Sequence, residues 1–492
     1  MFDYREFHRK YNENSLKDYD ETIKKIKTIV KKSSDKNDKS RYRDYFNKVG
    51  SFILMLIELE SEICEGFFND KSLEELKEIN EDIYKDILSK KYLVSFANPI
   101  VCVEKFGEDI GPLLSYLYAK IRGSVRYVYM HKIRDISRVN NLFIKVYDYI
   151  KNEKSIESKI ILGFISDEAY EDLELKHEMK YIQNMDYNDI YWSEIIKKSD
   201  LNDLRYLFKF GEYIGRNEIE IAEYLNGLPQ KKINDMADTM TNGYLEGFKR
   251  AEKSLEGKKS VTFYAQIGFE RVYKAAIKNL EIVGLKPTYS LDRVQSTKPN
   301  KQFEYDHKFD RGLYLTDEYS SASIKAHKAA VKKQKDLLIG QSGVVALMGF
   351  GEKPFAPISK NENIKLTEEQ NAIDTVYNNR IEQDINKYVN KKNWSFTIIA
   401  YPLPEIGGNF KDIFDATIKV NTLNSSFYEK VQQRIIDVLD KGDCAHVKGK
   451  GENKTDITIK LYELNNPERE TIFENCIADV NIPVGEVFTS PV

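Results

Sequence analysis

Residues 261–291 read VTFYAQIGFERVYKAAIKNLEIVGLKPTYSL, and this stretch decides the fold of the chain's second half. Val261 to Ala265 is a short β-type run. From Phe269 a helix follows, with Val272, Tyr273, Ala276, Ile277 and Leu280 on one face and Gly284 at its end; Pro287 then leads into a second strand, Thr288 to Leu291. Strand, glycine-closed helix and strand make a βαβ unit, which implies parallel strands joined by a right-handed crossover.

Working outward, further strands fit Val344 to Met348 and Ser395 to Ala400, with helices around Ser323 to Leu338 and Thr367 to Tyr388. Asp292 to Arg311 is long, polar and aperiodic, which predicts a surface loop or insertion. Tyr401-Pro402-Leu403-Pro404 ends its strand, because proline has no N–H to donate to a ladder. The spacing predicts a helix from about Ser426 to Lys441, with Ser426 and Glu429 as a capping box, Phe427, Val431, Ile435 and Leu439 along one face, and Gly442 beyond.

Ahead of the βαβ unit the pattern is helical almost throughout. Phe46, Val49, Ile53 and Leu56 keep three-and-four spacing; Leu204, Leu207 and Phe208, then Ile221 and Leu225, repeat it, with Gly227 as a stop. The expected fold is therefore an α/β C-terminal part with parallel strands, preceded by a mainly α-helical N-terminal domain. The expected domains are 1–254 helical, 255–442 α/β, and 443–492 the start of a further part. A chain of 492 residues exceeds one hydrophobic core, so more than one domain is expected on length alone.

Hydrophobic residues at 41% with 31% charged describe a soluble globular protein, and a formal net charge of −3 with interspersed signs gives no overall footprint for nucleic acid or an anionic membrane. The charged start MFDYREFHRKYNENS has no apolar secretory segment, and no run is long enough to span a bilayer, so a cytoplasmic location is expected. Cys64, Cys102, Cys444 and Cys476 form no CxxC pair and read as reduced, mostly buried small apolar residues.

Several chemical readings have plainer alternatives. The stretch YLYAKIRGSVRYVYMHK sets tyrosines beside Lys120, Arg122 and Arg126 and could bind single-stranded nucleic acid, but helical core with snorkelling arginines explains it better. His131, His177, His307, His327 and His446 have no second ligand at a metal-site spacing, so structural roles are expected. The glycines of Gly343 to Gly351 flank a strand without forming a phosphate loop, and turn glycines account for them.

The specific chemical signal lies at 481–491, NIPVGEVFTSP, preceded by KTDITIKL at 454–461. In the latter, Ile457, Ile459 and Leu461 alternate with polar residues, which predicts a half-buried strand; Asp456 is expected to hydrogen-bond nearby backbone at its start. In the former, Glu486 stands between Pro483 and Gly485 on one side and Val487 and Phe488 on the other, on a stiff local backbone. These two stretches together resemble the segment that carries the first metal-binding glutamate of the thermophilic-type (aminopeptidase T or AmpS-like) metallo-aminopeptidases. The βαβ unit and the tryptophan, strand and Tyr-Pro turn from Trp394 have counterparts in that family as well.

The resemblance implies a metal-dependent aminopeptidase that releases N-terminal residues from peptides with two divalent ions, zinc, cobalt or manganese, about 3.5–4 Å apart. Glu486 would be a metal ligand, and 443–492 the incomplete start of the metal-binding domain. The resemblance implies neither a nucleic-acid nor a membrane partner, and leaves a homodimer open. The family's remaining ligands come from beyond this motif, so the chain as written is expected to be C-terminally incomplete and inactive. The alternative reading is a non-catalytic peptide-binding or interaction protein.

Overall fold

The computed structural model describes residues 4–63, 66–187, 191–290, 298–422, 425–475, 480–482 and 486–489. In chain order its principal elements are α1 (Leu16–Ser33), α2 (Arg43–Glu62), α3 (Gly111–Arg122), α4 (Ile133–Asn152), α5 (Ser158–Tyr170), α6 (Leu173–Met185) and α7 (Gln230–Arg250). These are followed by β1 (Ser260–Tyr264), α8 (Glu270–Ile282), β2 (Lys286–Ser290), α9 (Lys301–Asp306), α10 (Asp317–Lys333), β3 (Gln341–Phe350), α11 (Glu368–Asn386) and β4 (Ser395–Pro402). Last come α12 (Phe410–Asn421), α13 (Ser425–Leu439), β5 (Cys444–Lys448), β6 (Asp456–Lys460), β7 (Glu474–Asn475), β8 (Val480–Ile482) and β9 (Val487–Phe488).

The chain divides into two compact units, one built from 1–226, 295–339 and 353–389, the other from 227–294, 340–352 and 390–492. The first is helical. Phe46, Val49, Ile53 and Leu56 of α2 are all buried, as their spacing requires, and Phe46 meets Phe143 and Tyr147 of α4 edge to face. Tyr45 satisfies its buried hydroxyl by donating to the Leu114 carbonyl at 2.7 Å. Arg122 does not snorkel to solvent: it is buried, paired with Asp86 and donating to the Ile83 carbonyl. Arg126 pairs likewise with Glu212.

The second unit carries a five-stranded sheet of order β2-β1-β3-β4-β8 in which every neighbouring pair is parallel. Val261, Thr288, Val344 and Ser395 thus lie in parallel strands, as the βαβ reading implies, after a mainly helical first part. The sheet's unit begins with α7, before residue 254, so that helix packs with the sheet. Gly343, read from the sequence as a turn glycine, is instead inside β3, where the register to β1 shifts by one residue. Its φ is +133°, and a Cβ there would lie 1.8 Å from the Ser395 carbonyl oxygen. Only glycine fits this bulge.

The connections from β2 to β3 and from β3 to β4 run through residues that pack in the helical unit. Right-handed crossovers would have placed helices on the sheet face opposite α8. That face carries Phe396 and Ile398 of β4 and Met348 and Phe350 of β3, all more than a third exposed, while Thr397, Ile399 and Tyr401 on the other face are buried.

The segment 292–311, read as a surface loop or an insertion, belongs from 295 on to the helical unit and is not a plain loop. Residues 291–297 fall outside the described residues, but 301–306 form α9, started by Asn300, whose side chain accepts from the Gln302 and Phe303 amides. Asp306 at its end is buried and accepts from Tyr92, Gln302 and Asn363 and from Lys360. A buried carboxylate held this fully orders a polar segment that has no apolar periodicity. Among the described residues no helix is long and apolar enough to cross a membrane.

Candidate metal centre

The two halves of NIPVGEVFTSP are held differently. β8 lies beside β4, with Val480, Asn481 and Ile482 opposite Thr397, Ile398 and Ile399, and Ile482 is buried. Residues 483–485 are outside the described residues. Glu486 is exposed and leads into β9, which pairs antiparallel with β7 (Glu474 opposite Phe488, Asn475 opposite Val487). Glu486 therefore sits where the chain passes from the edge of the large sheet to a two-stranded ribbon.

Metal fit can be tested on the donors around it. Among the described residues, no three His, Cys, Asp or Glu side chains come close enough together to hold an ion. Catalytic zinc usually has about three protein ligands. The described residues thus do not by themselves build a two-ion site.

The upstream strand differs from expectation on two points. β6 pairs with β5 as a separate two-stranded ribbon, and all five of its residues are exposed, Ile457 and Ile459 included. The alternation KTDITIKL does define an apolar face, but the ribbon leaves it facing solvent. Asp456 does not bond backbone at a strand start. It takes His446 Nε2 at 2.7 Å and Lys448 Nζ at 3.7 Å from across the ribbon. Cys444, expected among the buried thiols, is exposed, whereas Cys102 is buried and donates to the Phe96 carbonyl; both are free thiols. Cys64 and Cys476 lie outside the described residues.

The other histidines are all engaged by neighbours. His131 is buried with a left-handed φ of +49° and bonds Glu60 at 2.7 Å. His307 bonds Asp310 and the Ala97 carbonyl. His327 meets the Tyr181 hydroxyl at 2.6 Å, and His177 lies 2.9 Å from Ser323 Oγ. Ser323 with His177 invites a nucleophilic reading, yet Ser323 is 1% exposed and Tyr377 also bonds its hydroxyl. A nucleophile must reach substrate. Burial, aided by His327, Lys180 and Lys176, also pushes His177 down to about 4, which makes it a weak base. The pair locks α6 to α10.

The carboxyl edge of the parallel sheet, where open α/β sheets take ligands, is closed chemically at the first loop. Glu270, fully buried at the start of α8, accepts the Gly268 amide with both carboxylate oxygens at 3.0 Å. The chain's own carboxylate therefore holds a loop amide just ahead of the helix start, beside the place a phosphate would use.

Two charged clusters escaped the sequence reading. One is Asp306 with Lys360; the other is buried Glu168, 2.7 Å from both Lys120 and Arg138 and 3.7 Å from Lys176. Burial works to raise Glu168, but Lys120, Lys176 and Arg138 outweigh it and hold the carboxyl below its ordinary range. Lys176 is pushed down to about 8, chiefly by burial. No short motif marks such clusters, because their members are far apart in the chain.

No family model, curated protein or solved structure matches this chain. The likeness to the metallo-aminopeptidases therefore rests on the residues quoted above.

Proposed function

We propose that this chain carries part of a metal-dependent aminopeptidase that removes N-terminal residues from peptides, with Glu486 as one ligand of a centre for two zinc, cobalt or manganese ions. The observation that carries this reading is the motif NIPVGEVFTSP in its setting: Ile482 fastened at the edge of a parallel sheet, and Glu486, an exposed residue, four positions on. Bound there, the ions would supply the activated water and polarise the scissile carbonyl. Glu486 itself would contribute a hard oxygen donor, and further ligands would have to join it, since no group of three such donors stands among the described residues. The exposed free thiol of Cys444 supports a cytoplasmic, reducing setting.

Two measurements test this. The 492-residue chain should show no zinc-, cobalt- or manganese-dependent turnover of aminoacyl-nitroanilides, since one ligand cannot hold two ions. The protein purified from its source at its native length should show it, and Glu486→Gln in that protein should lower kcat/KM by about a hundredfold or more with an unchanged melting temperature. Metal-dependent turnover by the 492-residue chain would mean the site lies elsewhere, and a source-purified protein inert with every metal would end the aminopeptidase reading.

A second reading, a non-catalytic interaction protein, is favoured by the apolar side chains left exposed on α13 and on the β5–β6 ribbon. Metal content of the source-purified protein separates the two: two tightly bound ions per chain support the enzyme, none supports the interaction protein.

A further inference from the structure

β5 and β6 form a ribbon with no third strand beside it among the described residues. Two strands alone are marginally stable in water. Ala445 and Val447 face Ile459 and Ile457 across the ribbon, so one of its faces is wholly apolar, and Val447, Ile457 and Ile459 are each close to half exposed. The other face carries Cys444 opposite Lys460, His446 opposite Thr458 and Lys448 opposite Asp456.

The hydrogen bonds fix which groups β6 presents at its outer edge. Leu461 donates to the Asp443 carbonyl at 3.0 Å and Gly449 to the Thr455 carbonyl at 2.7 Å. Residues 455, 457, 459 and 461 therefore point their backbone groups into the ribbon, and by the alternation of an antiparallel ladder Asp456, Thr458 and Lys460 point theirs outward. The edge reads Asp456-Ile457-Thr458-Ile459-Lys460, a sequence complementary to itself when reversed.

We propose that β6 is a self-association edge, and that a second copy of this chain adds its own β6 antiparallel to it about a two-fold axis at Thr458. In that register Asp456 stands opposite the second copy's Lys460, Thr458 opposite Thr458, and Ile457 opposite Ile459. The outward backbone groups of 456, 458 and 460 then meet one another in hydrogen-bonded pairs, while the isoleucines fall at the closer, non-hydrogen-bonded positions. A register displaced by one residue would set inward-pointing backbone groups against outward ones and lose the ladder.

Charge supports the same register. Lys460 stands opposite Cys444 in its own ribbon and gains a carboxylate, and Asp456, which already has Lys448 on one side, gains a cation on the other. The product is a four-stranded antiparallel sheet with the isologous contact expected of a two-fold dimer. Its apolar face runs in unbroken rows, Ala445–Ile459–Ile457–Val447, from one copy to the other. This edge pairing does not depend on the aminopeptidase reading.

Sedimentation of the full chain across a concentration series tests it. The wild type should show a reversible monomer–dimer equilibrium. Lys460→Glu sets Glu against Asp456 twice, and Asp456→Lys sets Lys against Lys460 twice, so each alone should weaken the dimer by about tenfold or more. An equimolar mixture of the two variants restores both opposite-charge pairs and should return dimerisation to within about threefold of wild type. Thr458→Pro, which removes an outward N–H and spares the ladder to β5, should abolish it. A wild type that stays monomeric to several hundred micromolar, or variants that dimerise like wild type, would overturn the proposal, as would a mixture no better than its components.

Discussion

Helices α2 and α13 carry the same kind of apolar stripe and meet opposite fates. In α2, Phe46, Val49, Ile53 and Leu56 are each 3% exposed or less; in α13, Phe427, Val431, Ile435 and Leu439 are each 37% exposed or more. α13 is held by a different face. Gln432 and Ile436 are buried, and Arg250 of α7 grips Glu429 through both guanidinium amines at 2.6 and 2.9 Å. The carboxylate that the capping pattern assigned to the helix start is thus spent on a helix–helix tie. A 3.6-residue period tells that a helix has an apolar side. Whether that side is covered depends on what the rest of the chain brings to it.

The contrast can be broken most sharply by truncating the two stripes. Phe46→Ala should cost about 3–5 kcal/mol, because it empties a pocket lined by Phe143 and Tyr147. Ile435→Ala should change stability by no more than about 0.5 kcal/mol. Urea unfolding reports the first through Trp192, buried against Phe210, in a Trp394→Phe background; circular dichroism reports the second. Equal losses at the two positions would show that the α13 stripe is covered after all.

Charge pairs give the next step down. Asp306→Ala strands Lys360, whose side chain is 9% exposed, and should cost about 3 kcal/mol. Asp456→Ala removes an exposed carboxylate from the ribbon and should cost no more than about 1 kcal/mol. If Asp306→Ala proves as mild as Asp456→Ala, the buried network is not what orders α9.

What could be read in advance follows from how far each signal reaches along the chain. β1, α8 and β2 were legible because their apolar positions, Gly284 and Pro287 lie within one window of about thirty residues, and parallel pairing follows from that order. The α2 stripe was legible for the same reason. Asp306 was not, since its partners Tyr92 and Lys360 stand 214 and 54 residues away. The division of the chain was also hidden: helices that lie between strands in the sequence pack in the other unit, and no local pattern says which core a helix will join. At Glu486 the eleven-residue motif named a residue, but a metal centre is a property of several converging side chains. One motif does not supply them.

The remaining expected effect is a pH dependence in the helical unit. In an unfolded chain a histidine titrates near 6.5. In the fold, His177 is lowered to about 4, by burial first and then by His327, Lys180 and Lys176. His8 is lowered to about 3, by burial and then by Lys132 and His131. Between those values and 6.5 the unfolded chain binds protons that the folded one refuses, so stability is full above 6.5 and falls as the pH drops toward 4. His307 acts in the opposite sense: Asp310 outweighs burial and raises it, so its contribution is full below 6.5 and fades only as pH rises through its higher folded value. His177 and His8, with His327, which burial also lowers, should therefore cost the helical unit up to about 5 kcal/mol on going from pH 7 to pH 4.5, offset in part by His307 and above the range where carboxylates such as Glu168 add their own loss. His177→Gln keeps a side chain able to bond Ser323 but cannot titrate, so melting followed through Trp192 should lose part of this slope in the variant. A slope identical to wild type would show that His177 is not the group being protonated, and would leave His8 and His327 to account for the loss.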